Sequence, residues 1–195
     1  MPTLFFHHIP SPIGLLLLTS DGDSLTGLYL PDHKGGPAPI VGNDPQAGSN
    51  LQRRSEKSEA VWEHDPEHFG PVCEQLAAYF AGDLRKFNVS LAAAGTDFQH
   101  RVWRELAQIP FGASISYGEL ARRIGNPAAS RAVGRANGQN PISIIVPCHR
   151  VIGANGTLTG YGGGSDRKRW LLDHEAGRQV PGGLFSGLKF QEIAD

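Results

Sequence analysis

The sequence predicts an α/β protein in two parts: an antiparallel sheet carrying a helix, then a mainly helical domain. Three observations predict it. Thr3–Ile9, Ile13–Thr19 and Ser24–Leu30 are extended apolar segments separated by the turn formers Ser11-Pro12 and Asp21-Gly22-Asp23. Later, Thr96 with Gln99 and Ser116 with Glu119 have the spacing of capping boxes, which open helices. Between the last of these and the final helical pattern lies Pro147-Cys148-His149-Arg150, a thiol beside a base and a fixed charge.

The first part spans residues 1–91. After the three strands, 31–65 loses all periodicity and is dominated by Gly, Pro, Asn, Ser and charged residues; it reads as a flexible insertion. Helical spacing returns from His68 to Ala81, with Val72, Leu76, Tyr79 and Phe80 on one side and Gly82 as the stop. Phe87–Leu91 reads as one more strand, and 92–95 as a linker.

The second part spans 96–177. A helix from Thr96 to about Ile109 repeats Phe98, Val102, Leu106 and Ile109, and Pro110 ends it. A short helix follows Ser116 and closes at Gly125. Pro127 starts a third helix at its first turn. Two helices joined through Gly125-Asn126-Pro127 predict helix-turn-helix geometry. The third helix is almost wholly Ala, Gly and Ser, with Arg131 and Arg135 one turn apart on one face. Small residues let a backbone approach another surface; the plain alternative is a tightly packed internal helix. Ile142–Val146 reads as a buried strand ending at Cys148. Gly160 to Gly164 permits close backbone approach to a ligand but lacks the lysine of a phosphate-binding loop. Ser165 caps a last helix, Asp166 to about Ala176, with Glu175 near its buried side. Residues 178–195 form a tail.

Composition narrows the function. The 39% hydrophobic content supports a packed core. No apolar run reaches membrane-span length, and the N-terminus lacks the pattern of a secretory signal. Two cysteines, Cys73 and Cys148, make no disulfide framework. The expectation is a cytoplasmic protein with free thiols. Residues 1–100 carry 6 Lys/Arg against 12 Asp/Glu, whereas 101–150 carry 7 Arg, no Lys and 2 Glu. An all-arginine positive block suits phosphate contact; a solvated helical face is the alternative.

The chemistry centres on Cys148. The thiolate is the nucleophile, and neighbouring cations lower its pKa. His149 is the obvious base, but adjacency in a strand sends the two side chains to opposite faces, which favours a water relay. Glu175 can accept from the imidazole as the acid of a triad does. Asn140 can hold the turn before Pro141. A structural cysteine is the plain alternative. A DNA lesion sensor without chemistry and a thiol hydrolase are the functional rivals; no oxyanion-hole element is evident near Cys148.

Asn140-Pro141, the run Ile145-Val146-Pro147-Cys148-His149-Arg150-Val151-Ile152, Gly160-Tyr161 and Trp170-Leu171-Leu172-Asp173-His174-Glu175 resemble the methylated-DNA–protein-cysteine methyltransferases. These are the O6-alkylguanine-DNA alkyltransferases. The resemblance is close over Thr96–Glu175 and loose before it. It implies a ribonuclease-H-like N-terminal region and a C-terminal alkyltransferase domain. It implies single-turnover transfer of the alkyl group from O6-alkylguanine, and from O4-alkylthymine, to Cys148. His149 through a water, with Glu175 and Asn140, would draw off the thiol proton. Arg131 would fill the gap left by an extruded base, and Tyr117 would help turn the nucleotide out. Gly118, Asn126, Ala129 and Arg135 would join the DNA contact; Val151, Tyr161 and Gly162 would line the base pocket. The partner implied is double-stranded DNA bound by a monomer, with cooperativity left open. No cofactor is implied, because the alkyl group comes from the DNA. Some relatives bind zinc in the N-terminal region through two Cys and two His. Here Cys73 stands alone and His7, His8, His33, His64 and His68 lack ligand spacing, so no metal is expected. Relatives that only bind alkylated DNA carry tryptophan at the thiol position, and some relatives carry serine where this chain has Gly162.

Overall fold

A computed structural model describes residues 3–31, 33, 61–158 and 161–178. The expectations for most of 31–65 and for the tail beyond 178 lie outside these residues.

Strands β1 (Thr3–Ile9), β2 (Leu16–Ser20) and β3 (Leu25–Tyr29) form the expected antiparallel meander. The sheet has a fourth strand, β4 (Val61–His64), in the order β3-β2-β1-β4. It pairs parallel to β1, Thr3 opposite Val61, so the sheet is mixed and not wholly antiparallel. The expectation of an insertion running to 65 is therefore corrected at Val61–His64, which form a strand. A four-residue strand cannot announce itself after a polar stretch, because its partner is nearly sixty positions away.

After β4, a 3-10 turn (Glu67–Phe69) leads into α1 (Gly70–Ala81). Gly82 ends α1 at φ 88°, a left-handed conformation natural to glycine. Leu76 and Tyr79 of α1 are fully buried against the sheet's core.

The exposed edge of β3 is covered by two passing segments. Leu25 N–H donates to Ser90 O and Ala92 N–H to Leu25 O. Further along, Leu28 N–H donates to Pro141 O and Ser143 N–H to Leu28 O. The expected strands at Phe87–Leu91 and Ile142–Val146 are thus corrected to single bridges, at Leu91 and Ile142. Ile144 explains the second correction. Its φ of 69° turns the chain out of the extended direction, a costly conformation for a β-branched residue. Successive tight turns follow, with Ile145 N–H on Ser143 O and Cys148 N–H on Val146 O.

The second part is helical. Helix α2 (Asp97–Ala107) opens on a complete Thr96–Gln99 capping box. A short strand β5 (Ile115–Ser116) pairs with β6 (Val151–Ile152) beyond the thiol. Ser116 caps α3 (Tyr117–Arg123) by accepting from Glu119 N–H. The Glu119 carboxylate turns instead to Arg122 and Arg123, so only half of that box forms. Gly125, at φ 77°, closes α3. Pro127–Ala129 makes one 3-10 turn before α4 (Ser130–Gly138). Helices α3 and α4 pack as the expected helix-turn-helix pair, and Trp103 Nε1 ties α4 to α2 through Ala136 O at 2.9 Å. The last helix, α5 (Ser165–Glu175), is entered through Gly164 at φ 89°; Ser165 lies inside it, so the expected serine cap is corrected. Arg167 ties α5 to the sheet region through Ile13 O at 2.8 Å and Pro31 O at 3.3 Å. One buried apolar cluster runs through both parts.

Candidate active site

Cys148–Arg150 is a 3-10 turn, not a strand end. All three residues are buried, His149 fully. The turn is held from three sides. Asn140 Nδ2 donates to Val146 O at 2.8 Å and to Ile142 O at 3.3 Å, while its Oδ1 accepts from Ile142 N–H. Asn137 of α4 donates to Cys148 O at 3.3 Å. Lys168 of α5 donates to Val151 O at 2.6 Å. Buried backbone carbonyls need such partners, and here side chains supply them.

Glu175 is the hub. It is 5% exposed and accepts five hydrogen bonds. Oε1 takes the Tyr79 hydroxyl at 2.8 Å, His149 Nε2 at 2.8 Å and Arg150 Nη2 at 2.9 Å. Oε2 takes Arg150 Nε at 2.8 Å and Gly112 N–H at 3.0 Å. Burial alone would raise this carboxyl. Hydrogen bonds from His149 and Arg150, together with the Arg150 charge, outweigh it and hold the group well below the usual carboxylate range. A carboxylate can only accept, so His149 Nε2 carries the hydrogen and Nδ1 keeps its lone pair. Nδ1 is buried and has no hydrogen-bond partner among the described residues. Burial, reinforced by Arg150 and Lys168, pulls the His149 pKa down against the opposing pull of Glu175. His149 is therefore a neutral imidazole with its accepting nitrogen free: a base.

Arg150 does not serve the thiol directly. Its fork grips Glu175 and Ile109 O, and the guanidinium lies over the Phe111 ring at 5.8 Å. The cation that bears on Cys148 is Lys168. Burial pushes the thiol pKa up; the nearby Asn140 amide, the Lys168 charge and the Ser143 hydroxyl pull it part of the way back. Lys168 itself is fully buried and brought down to about 8, burial outweighing the attraction of the thiolate. Its ammonium sits 5.8 Å from the Tyr117 ring centre and 5.9 Å from that of Tyr161. Burial, then the nearby thiolate, pushes Tyr117 up to about 12, so its hydroxyl remains a donor at neutral pH. Tyr161 is raised well above its ordinary value for the same reasons.

The other expected residues are placed as follows. Tyr117 starts α3 and lies close to Gly134 of α4, where an added Cβ would meet its ring at 3.7 Å. Gly118 is half-buried beside it, Asn126 exposed and Ala129 half-buried at the helix-turn-helix junction. Arg131 and Arg135 are exposed on α4, whose other side buries Val133, Ala136 and Asn137. Among the described residues neither arginine has an ion-pair partner. Val151 is fully buried beside the thiol turn. A Cβ on Gly162 would meet the His33 ring at 2.8 Å, so a side chain there would require that ring to move. The structure brings Cys148, His149, Glu175, Asn140, Val151, Tyr117 and Tyr161 into one neighbourhood and leaves Arg131 and Arg135 on the surface.

Sequence reasoning missed Tyr79, Gly112, Asn137, Ser143 and Lys168. One signal was available: Lys168, Leu171 and Glu175 share a helical face, and two of the three read as inward. Among the described residues no group of three or more metal-ligating side chains converges, and no helix is long and apolar enough to cross a membrane.

Residues 97–177 match the 6-O-methylguanine DNA methyltransferase DNA binding domain, and residues 4–93 its ribonuclease-like domain. A methylated-DNA–protein-cysteine methyltransferase of Mycobacterium tuberculosis is 49% identical over 175 residues, covering 90% of this chain and 94% of that protein. One from Methanosarcina acetivorans is 46% identical over 174 residues, covering 88% and 98%. The crystal structure of Mycobacterium tuberculosis OGT in complex with DNA superposes with a TM-score of 0.74 at 47% identity, covering 92% of this chain and 96% of that one.

Proposed function

We propose how the site works from one premise: the chain belongs to the methylated-DNA–protein-cysteine methyltransferase family, and it repairs DNA by moving the methyl group of a damaged base onto one of its own cysteines. The observation that carries the mechanism is the His149–Glu175 pair, which leaves a neutral imidazole with Nδ1 unengaged beside the buried Cys148.

The thiol is protonated at rest, because burial holds its pKa up. A water seated between Sγ and His149 Nδ1 passes the proton to the imidazole. Glu175 steadies the imidazolium through Oε1, as the acid of a triad does. The thiolate, paired with the Lys168 charge and the Asn140-held turn, attacks the alkyl carbon. The S–C bond forms as the C–O6 bond breaks, and the electron pair leaves with the guanine, which takes up one proton. The Tyr117 hydroxyl, a donor at neutral pH, is suited to meet that developing charge. The product is a thioether, which has no leaving proton to restore a nucleophile; each molecule acts once.

The thiol cannot reach O6 in line within a stacked duplex, so the base must be turned out, at a cost on the order of 2–4 kcal/mol. Exposed Arg131 and Arg135 on a small-residue helix support a groove contact that offsets it, with Arg131 entering the stack. Phosphate contacts make such binding only weakly sequence-specific. Val151, Tyr161 and Gly162 border the pocket for the base. The free thiols Cys73 and Cys148 fit a reducing, cytoplasmic setting.

The test is stoichiometric. With duplex carrying one O6-methylguanine in excess, restored guanine should plateau at one per protein molecule. Continued turnover would contradict the single-use mechanism. Arg131→Ala should slow transfer from duplex far more than transfer from free O6-benzylguanine; equal losses would remove its role in base extrusion.

A further inference from the structure

We propose that Tyr79 is a positioning residue for alkyl transfer: its hydroxyl reaches from α1 to the Glu175 oxygen that carries His149, and so lets the N-terminal region set the proton affinity of the base. The proposal rests on the repair reading above.

The geometry is specific. Tyr79 and Glu175 are 96 positions apart, one in the sheet-bearing part and one at the end of α5, and the hydroxyl donates to Oε1 at 2.8 Å. His149 uses that same oxygen. The Tyr79 main chain holds the neighbouring residue as well, since its carbonyl accepts from His174 Nε2 at 2.8 Å. Phe80, Phe87, Phe111 and His174 surround the ring at 5.3 to 6.0 Å between centres. The hydroxyl is therefore delivered by a fixed ring. Packing alone would be satisfied by phenylalanine, which would leave the carboxylate one donor short.

The physical consequence has a sign. A carboxylate oxygen that accepts three donors has less charge to offer any one of them. Removing the Tyr79 hydroxyl concentrates the Oε1 charge on His149 and Arg150. The imidazolium gains stability relative to the neutral ring, and the base becomes harder to keep neutral as pH falls. The other groups facing this pair stay in place. These are Arg150 on the same turn, Lys168 on α5 and Tyr161 before α5; Cys148 and Tyr117 bear on Lys168, and His174 is held by the Tyr79 carbonyl.

The experiment is the pH dependence of single-turnover transfer from free O6-benzylguanine, which needs no DNA contact. Tyr79→Phe should move the acid limb upward by about half a pH unit. A 3-fluorotyrosine placed at position 79, a stronger donor of the same shape, should move it downward. Opposite shifts support the proposal. Superimposable profiles, or a lower rate without any shift, would overturn it and leave Tyr79 a packing residue. Should Tyr79→Phe not fold, the fluorinated protein decides by the same criterion. Wild-type protein without transfer at any pH would overturn the repair reading and this proposal together.

Discussion

Cys73 lies on α1 in the acidic N-terminal part, half-buried; Cys148 lies on a 3-10 turn beside the arginine-rich segment, fully enclosed. Burial raises both thiols. At Cys73 nothing beyond its own backbone opposes burial, and Glu74 adds to it, taking the group to about 11. At Cys148 Asn140, Lys168 and Ser143 all act in the opposite direction, and a neutral imidazole with a free nitrogen stands next in the chain. Burial alone makes an inert thiol. The difference lies in what is buried with it: a base, a carboxylate that fixes the base, and a cation that can face the thiolate.

The strongest way to break this comparison is exchange at the two thiols. Cys148→Ser should abolish transfer while retaining duplex binding, and Cys73→Ser should leave the single-turnover rate unchanged. Rapid-quench kinetics with a binding titration read both, and loss of binding in Cys148→Ser would make that thiol structural.

Glu175→Gln comes next. It would break the His149 anchor and leave the Arg150 guanidinium buried without its charge partner. Transfer should fall by about 10³-fold or more, and stability by about 3–5 kcal/mol, read by single-turnover kinetics and urea denaturation. The same cluster predicts a pH trend. The folded carboxyl is held below its ordinary 4.5, so the unfolded chain takes the proton first as pH falls. The stabilisation is complete above the ordinary carboxylate range and drains away as pH drops from there down through the lowered folded pKa. Acid titration of wild type and Glu175→Gln should therefore converge at low pH.

The smallest effect is expected at Gly112. Its φ of 76° favours glycine, and an added Cβ would stand 3.0 Å from Glu175 O. Gly112→Ala should cost about 1–3 kcal/mol through backbone strain and slow transfer modestly by loosening one of the five donors on Glu175. A wild-type melting curve would show that this turn can relax.

Much of this was legible in the residues, and the reasons differ by element. The Thr96–Gln99 box, Gly125 and Pro127 are local devices, so the helix-turn-helix could be read directly. The link from His149 to Glu175 was readable because both sit in recognisable motifs. Arg150 misled, since adjacency to Cys148 suggested a cation on the thiol; the side chain instead turns to Glu175. Ile142–Val146 misled as well, because five apolar residues resemble a strand until Ile144 takes a positive φ. β4, Tyr79 and Lys168 depend on contacts between distant positions. Val61–His64 gains its identity only by lying beside β1, and Tyr79 looks like any inward aromatic residue until its hydroxyl finds a carboxylate.

The reading of Cys148 as the alkyl acceptor rests on its neighbours and not on its burial. The most direct measurement uses duplex with an isotopically labelled O6-methyl group, followed by proteolysis and mass mapping of both cysteine peptides. One label per protein is expected, all on the Cys148 peptide and none on the Cys73 peptide. Label on Cys73, or more than one methyl per molecule, would contradict it.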